Sequence, residues 1–298
     1  MKTYNEIYIG AKKALRAAGI EAAELEARLL LAAAAEKTTA EFLRDLPLYP
    51  GAEFEVRGAE FLRRRLRGEP AAYIAGIWEF HGLELEVTPN VLIPRSDTEV
   101  ITDEGIRFLR DRPGGRFLDL CTGTGCIGLA LLDAVPDCRG VLADADRRAL
   151  MVCRRNALRT GLGQRAVILE ADALQPPSRR LGTFDLLISN PPYIPTREIP
   201  GLDASVRDYE PVFALDGGED GLDFYRSIFA SWPQLLKPGG CLLLECGETQ
   251  APALCRFGTE VGLPGGVCLK DTAGYDRAVR FILPDAPEQN ETTASGPL

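Results

Sequence analysis

Residues 190–193 read Asn190-Pro191-Pro192-Tyr193 and follow an apolar run, Phe184-Asp185-Leu186-Leu187-Ile188-Ser189, with the character of a buried strand. The segment sets a carboxamide, a stiffened backbone and an aromatic ring at a strand's carboxyl end. An amide or exocyclic amino nitrogen shares its lone pair with a neighbouring π system, so it attacks poorly until a site holds it in near-attack geometry. Two acceptors aimed at its two N–H bonds supply that hold: the side-chain oxygen of Asn190 for one and the carbonyl of Pro191 for the other. Pro192 fixes φ and offers no competing donor, and Tyr193 can cover the flat face of the substrate. The chemistry that suits this spacing is methyl transfer to a planar nitrogen. An ordinary strand-to-loop Pro-Pro turn explains four isolated residues equally well, so the surrounding elements decide.

Upstream, Arg116-Phe117-Leu118-Asp119-Leu120 reads as a short strand, and Cys121-Thr122-Gly123-Thr124-Gly125-Cys126-Ile127-Gly128 as a Gly-rich turn into an apolar helix from Ile127 to Val135. The next strand, Gly140-Val141-Leu142-Ala143, ends in Asp144, placed to bind ribose hydroxyls. Taken alone, this fingerprint also fits a dinucleotide fold. Three details favour S-adenosyl-L-methionine. Asp119, inside the strand before the loop, suits an ammonium better than a pyrophosphate. Asp172, after the strand Ala166 to Glu170, is placed to accept from the adenine amino group. The fourth strand then delivers Asn190 to the same edge, where open α/β sheets bind ligands. Each Asp taken singly is as readily a helix cap or turn residue; the ordered series carries the reading.

With these residues in view, the chain resembles the protein glutamine-N5 methyltransferases of peptide chain release factors, the PrmC or HemK family. The likeness also includes Gly68-Glu69-Pro70-Ala71-Ala72-Tyr73-Ile74, Val91-Leu92-Ile93-Pro94-Arg95-Ser96-Asp97-Thr98-Glu99, Val206-Arg207-Asp208-Tyr209-Glu210-Pro211 and the run from Asp216 to Arg226, and it spans roughly residues 68–283. It implies methyl transfer from S-adenosyl-L-methionine to the side-chain amide of the glutamine in a Gly-Gly-Gln motif, with release factors as the protein partner. By that likeness Asn190, Pro191 and Pro192 hold the target amide and Tyr193 lines its pocket. Cys121, Thr122, Gly123, Thr124, Gly125, Asp144, Asp172 and Ala173 contact the cofactor, as does Asn190 at the border of both sites. Three departures stand out: Cys121 where many relatives have Gly, Ser96 where Pro is usual, and Ala173 where some carry a large side chain against the adenine.

Composition agrees. Apolar residues make up 46% of the 298, ample for one large or two modest cores. No apolar run reaches spanning length and the amino terminus lacks a signal-peptide pattern, so a cytoplasmic protein is expected, without a membrane partner. The eight cysteines lack the paired spacings of a zinc site and read as small buried hydrophobes; no metal is expected. The single histidine, His81, precedes Gly82 between two alternating runs and reads as a hairpin turn rather than a catalytic base. Residues 1–75 are near neutral, with 12 basic and 11 acidic side chains, whereas the remainder holds 22 against 32. An acidic catalytic half is a poor surface for duplex DNA, so nucleic acid is not expected as the direct substrate. Arg63-Arg64-Arg65 with Arg67 reads as the solvated end of a helix.

Helical spacing over residues 1–75, broken by Gly19, Pro47 and Pro50, predicts a small N-terminal helical bundle that recognises substrate. A hairpin linker follows over 76–90, then a helix from Thr98 to Leu109 and, beyond Pro113, alternating strands and helices. That alternation predicts an α/β, Rossmann-like methyltransferase domain over 91–283 with a parallel doubly wound sheet. Its later elements are a helix from Leu222 to Leu236, a turn at Lys237-Pro238-Gly239-Gly240 and a strand from Cys241 to Glu245. The polar tail, 284–298, is expected to be disordered. Two other activities fit the same four residues: N6-adenine methylation of DNA or RNA, which grips an exocyclic amine in a flipped base, and methylation of a ribosomal-protein glutamine. A nicotinamide dehydrogenase fits the Gly-rich loop but leaves residues 190–193 unexplained.

Overall fold

The computed structural model describes residues 2–284. Five helices come first: α1 (Tyr4–Ala17), α2 (Ala23–Ala34), α3 (Thr39–Arg44), α4 (Ala52–Leu66) and α5 (Ala71–Ala75). Thr3 with Glu6 and Thr38 with Glu41 form capping boxes that start α1 and α3. Tyr4, Tyr8, Ala11 and Leu15 share one face of α1 and turn it inward, where Tyr4 meets Phe54 edge-on at 4.6 Å between ring centroids. The short α5 has no counterpart in the sequence reading; it packs Ala71, Ala72, Tyr73 and Ile74 out of solvent and stops at Gly76, with φ 75. Arg63, Arg64 and Arg65 pair with Glu60, Glu69 and Glu26, so the basic run is largely neutralised at its own helix end.

Strands β1 (Ile77–Phe80) and β2 (Leu83–Glu86) form the expected hairpin. His81 (φ 51) and Gly82 (φ 78) both take positive φ, the two-residue turn whose twist matches the strands it joins. A seven-stranded sheet follows, built from β3 (Arg116–Leu120), β4 (Arg139–Asp144), β5 (Ala166–Glu170), β6 (Phe184–Ser189), β7 (Leu236–Glu245), β8 (Val267–Lys270) and β9 (Asp276–Ile282), in the spatial order β5-β4-β3-β6-β7-β9-β8. The helices that cover it are α6 (Glu99–Arg110), α7 (Cys126–Ala134), α8 (Arg147–Arg159), α10 (Asp223–Ser231) and α11 (Ala251–Glu260), with the short α9 (Ala204–Arg207) in a connection. Alternate strand residues feed two cores. Leu186 and Ile188 join the layer of α6 and α7, while Leu187 joins that of α10 and α11.

The structure corrects three expectations. Strands β3 to β7 run parallel, but β9 is antiparallel to both β7 and β8. The link from Lys270 to Asp276 is too short for a parallel crossover, which needs a dozen or more residues. The helix expected to reach Leu236 ends at Ser231, because Pro233 has no N–H with which to continue its ladder; a 3-10 turn, Pro233–Leu235, follows it. The expected turn at 237–240 is instead the irregular start of β7, where pairing jumps from Phe184–Leu236 to Leu186–Cys241. The tail expected over 284–298 lies, apart from its first residue, outside the described residues. Among the described residues no helix is long and apolar enough to cross a membrane.

Candidate active site

The carboxyl ends of β3, β4, β5 and β6 open on a cavity of 740 Å³. Cys121, Thr122, Gly123 and Thr124 line it from the turn after β3, Asp144 from the end of β4, and Asp172 and Ala173 from the segment after β5. Asn190 and Pro192 line it from the end of β6. The separate sequence signals therefore converge on one space. Gly123 takes φ 54, and a Cβ there would meet nothing within 4 Å, so the backbone faces the cavity bare, as close approach of a ligand requires. Asp144 braces this turn: its Oδ2 accepts from Gly123 N at 2.9 Å and its Oδ1 from Asp146 N at 2.9 Å. Burial pushes its carboxyl pKa up, and these backbone donors oppose the shift.

Asp119 and Gly125 are not on the cavity wall. Asp119 is fully buried behind the turn, where Oδ2 accepts from Thr122 Oγ1 at 2.5 Å and Gly128 N at 3.0 Å while Oδ1 has no partner. Burial pushes its carboxyl up to about 7. Through Oδ2 Asp119 thus fastens the turn from behind the cavity wall. Cys121 takes φ 60, a left-handed conformation that glycine adopts without cost. Ala173 is buried, and its carbonyl accepts from Ser227 Oγ at 2.7 Å and Trp232 Nε1 at 3.2 Å. Bulk that its methyl does not supply comes from Phe224 and Leu174, which share this wall. Phe224 lies in the motif from Asp216 to Arg226, but no local signal gave it that place.

Pro191 is buried and lines neither this cavity nor the neighbouring cleft of 530 Å³, which Tyr193 lines with Trp78 of the hairpin. Pro94 and Arg95 border both spaces. The segment is clamped from one side. Ile194 N donates to Leu215 O, Gly217 N to Ile194 O and Thr196 N to Gly218 O, each at 2.9 Å. Gln250 Nε2 adds a bond to Tyr193 O at 2.9 Å and another to Gly221 O at 3.2 Å. On the other side Asn190 Nδ2 donates to Thr98 Oγ1 at 3.2 Å, next to buried Glu245 at the end of β7. Burial pushes the Glu245 carboxyl up to about 8, and Thr98 acts to lower it. Two further motifs meet at the rim, where buried Glu210 pairs with Arg95 and accepts from Ile93 N at 3.2 Å. Behind them Tyr209 donates to Arg67 O at 3.3 Å, joining this rim to the N-terminal helices. The hairpin is joined too: Asn156 of α8 accepts from Glu86 N at 2.6 Å and donates to Thr124 O at 3.0 Å.

Residues 6–76 match the PrmC N-terminal domain family, and residues 102–200 match the methyltransferase small domain family. The release factor glutamine methyltransferase of Geobacter sulfurreducens is 41% identical over 265 residues, covering 88% of this chain and 90% of that one. The chain belongs to the release factor glutamine methyltransferase family. A second member, from Caulobacter vibrioides, is 39% identical, covering 93% of this chain and 95% of its own. A crystal structure of a methyltransferase from Pyrococcus furiosus shares the fold, with a TM-score of 0.50 at 19% identity over 68% of this chain and 90% of that one. Methyltransferases of this kind draw on S-adenosyl-L-methionine, and the cavity fits that demand. Its volume is that of a small-molecule site, its wall is apolar at Phe224 and Ala173, and Asp144 and Asp172 bring carboxylate acceptors to it beside the bare backbone of Gly123.

Proposed function

We propose that this chain methylates the side-chain amide nitrogen, N5, of the glutamine in the Gly-Gly-Gln motif of peptide chain release factors, acting in the cytoplasm. One observation carries the reading: Asn190 and Pro192 share a cavity wall with Gly123, Asp144 and Asp172, so the amide-gripping segment faces the cofactor space. The family membership supports the same substrate. When bound, S-adenosyl-L-methionine supplies a methyl carbon on a cationic sulfonium, an electrophile that needs no further activation. The protein's share is alignment. The Asn190 oxygen and the Pro191 carbonyl accept the two N–H bonds of the target amide and aim the nitrogen's lone pair into the cavity. Tyr193, in the adjoining cleft, covers the substrate from the approach side. No side chain has to take a proton, since an N-methylated, protonated amide is acid enough to lose it to water. A single histidine, taken up in the hairpin turn, is therefore no obstacle.

Within this reading Asp144 and Asp172 accept from the ribose hydroxyls and the adenine amino group, and Thr122, Gly123 and Thr124 pass close to the methionine portion. Residues 1–75 form the substrate-recognition part, 76–90 its linker and 91–283 the catalytic domain. Asp144→Ala is expected to weaken S-adenosyl-L-methionine binding by about 10- to 100-fold, the scale of one or two lost charge-assisted hydrogen bonds. Titration calorimetry reads this, and an unaltered affinity would remove the ribose assignment. The substrate is tested by incubating the full chain with purified release factors and labelled S-adenosyl-L-methionine, followed by peptide mass mapping. A methyl mark on the Gly-Gly-Gln glutamine is expected. A mark only on a ribosomal-protein glutamine, or on adenine in supplied nucleic acid, would overturn the assignment.

A further inference from the structure

A carboxamide can present either end. Turning Asn190 by half a rotation exchanges its oxygen for its NH2 at little steric cost, yet only the oxygen can accept from a target amide. The neighbours must settle which end faces the substrate. Thr98, immediately before α6 and 2% exposed, takes the bond from Asn190 Nδ2 at 3.2 Å. A hydroxyl can equally donate to a carboxamide oxygen, which would turn the amide the wrong way. What decides is where the Thr98 proton goes. Glu245, also 2% exposed, stands beside both residues with its Oε2 lacking any hydrogen-bond partner. Whether ionised or protonated, a carboxyl keeps an oxygen lone pair for a neighbouring hydroxyl. A Thr98 proton directed at Glu245 leaves only lone pairs facing Asn190, and lone pairs select the NH2.

We propose that Thr98 and Glu245 are positioning residues that fix the orientation of the Asn190 carboxamide, holding its NH2 inward and its oxygen toward the target amide. This rests on the role given to Asn190 above. Thr98 borders the cavity and Glu245 stands off its wall, and both act through Asn190, as outer-sphere partners orient metal-ligating histidines. The three come from distant parts of the chain, one before α6, one at the end of β6 and one at the end of β7, so only the sheet's strand order brings them together.

The test is single-turnover methylation of a release factor by the full chain, with S-adenosyl-L-methionine affinity measured alongside. Thr98→Val keeps the side chain's shape and removes the hydroxyl; it is expected to slow transfer about tenfold with cofactor affinity unchanged, and Thr98→Ser to restore the rate to within about threefold. Glu245→Gln, which retains an acceptor oxygen, stays near wild type, whereas Glu245→Leu matches Thr98→Val. In an Asn190→Ala background Thr98→Val should cost nothing further, because no carboxamide remains to orient. A wild-type rate for Thr98→Val, or the same tenfold loss persisting in that background, overturns the proposal while leaving the role of Asn190 intact. A wild-type rate for Asn190→Ala alone removes that role, and this inference with it.

Discussion

Asn190→Ala is expected to cut single-turnover methyl transfer by about a hundredfold or more, the scale of losing one preorganised polar contact to the reacting group. Affinity for S-adenosyl-L-methionine should stay within about threefold, because the turn of Thr122 to Thr124 and the carboxylates of Asp144 and Asp172 remain on the wall. The asymmetry follows from position. Asn190 stands where the cavity wall passes to the Pro-Pro-Tyr segment, held by Thr98 on its inner side. Truncation removes the acceptor proposed for one of the two target N–H bonds, and the amide is then free to turn its lone pair back into conjugation with its carbonyl. Rapid-quench measurement of one turnover at saturating cofactor isolates that step from product release. A rate within threefold of wild type would remove Asn190 from the chemistry and leave the Pro191 carbonyl as the only proposed acceptor. A loss shared equally with cofactor affinity would instead make the cofactor contact expected of Asn190 its main role.

The parts of this site that the sequence announces are local. Strands β3, β5 and β6 occupy the residues predicted for them, since buried parallel strands are continuous apolar runs bounded by turn signals. The turn at Gly123 and the carboxylate at Asp144 likewise follow from glycine's freedom and from a strand's end. Chain direction at the far edge does not follow so: nothing within β9 says that it runs against β7, and the five-residue link to β8 matters only once both are known to be strands. Asp119 shows another limit. An acid at a strand's end is the same letter whether it stands on a cavity wall or behind it, and only its lack of exposure and its bonds to Thr122 and Gly128 place it behind the turn. The resemblance marked Val206 to Pro211 and Asp216 to Arg226 as significant without saying why. Their reasons are contacts across more than a hundred residues, such as Glu210 with Arg95, or across a loop, such as Gly217 with the segment it clamps.

That clamp makes Gly217→Ala the second large effect expected, although Gly217 lines neither the cavity nor the adjoining cleft. A Cβ built there would lie 2.7 Å from Tyr193 Cα and 2.9 Å from both Pro192 O and Gly221 Cα. Those neighbours are backbone atoms, two of them in the segment proposed to grip the substrate, and backbone cannot rotate aside as a side-chain end can. Gly217 does not take positive φ, so the added methyl acts through space alone, unlike one at Gly221 with φ 77. Relief requires either moving residues 192–193 by most of an ångström or breaking the paired bonds of Ile194 with Leu215 and Gly217. A displacement of that size between reacting groups costs about a hundredfold in rate. The variant should therefore bind S-adenosyl-L-methionine normally, remain folded by circular dichroism and transfer methyl about a hundred times more slowly. Because the cavity wall from Cys121 to Ala173 does not depend on the clamp, a parallel loss of cofactor affinity would mean that the strain had spread into the sheet edge. A wild-type rate would mean that the segment from Asn190 to Tyr193 tolerates displacement, and that placement of the target amide is set elsewhere.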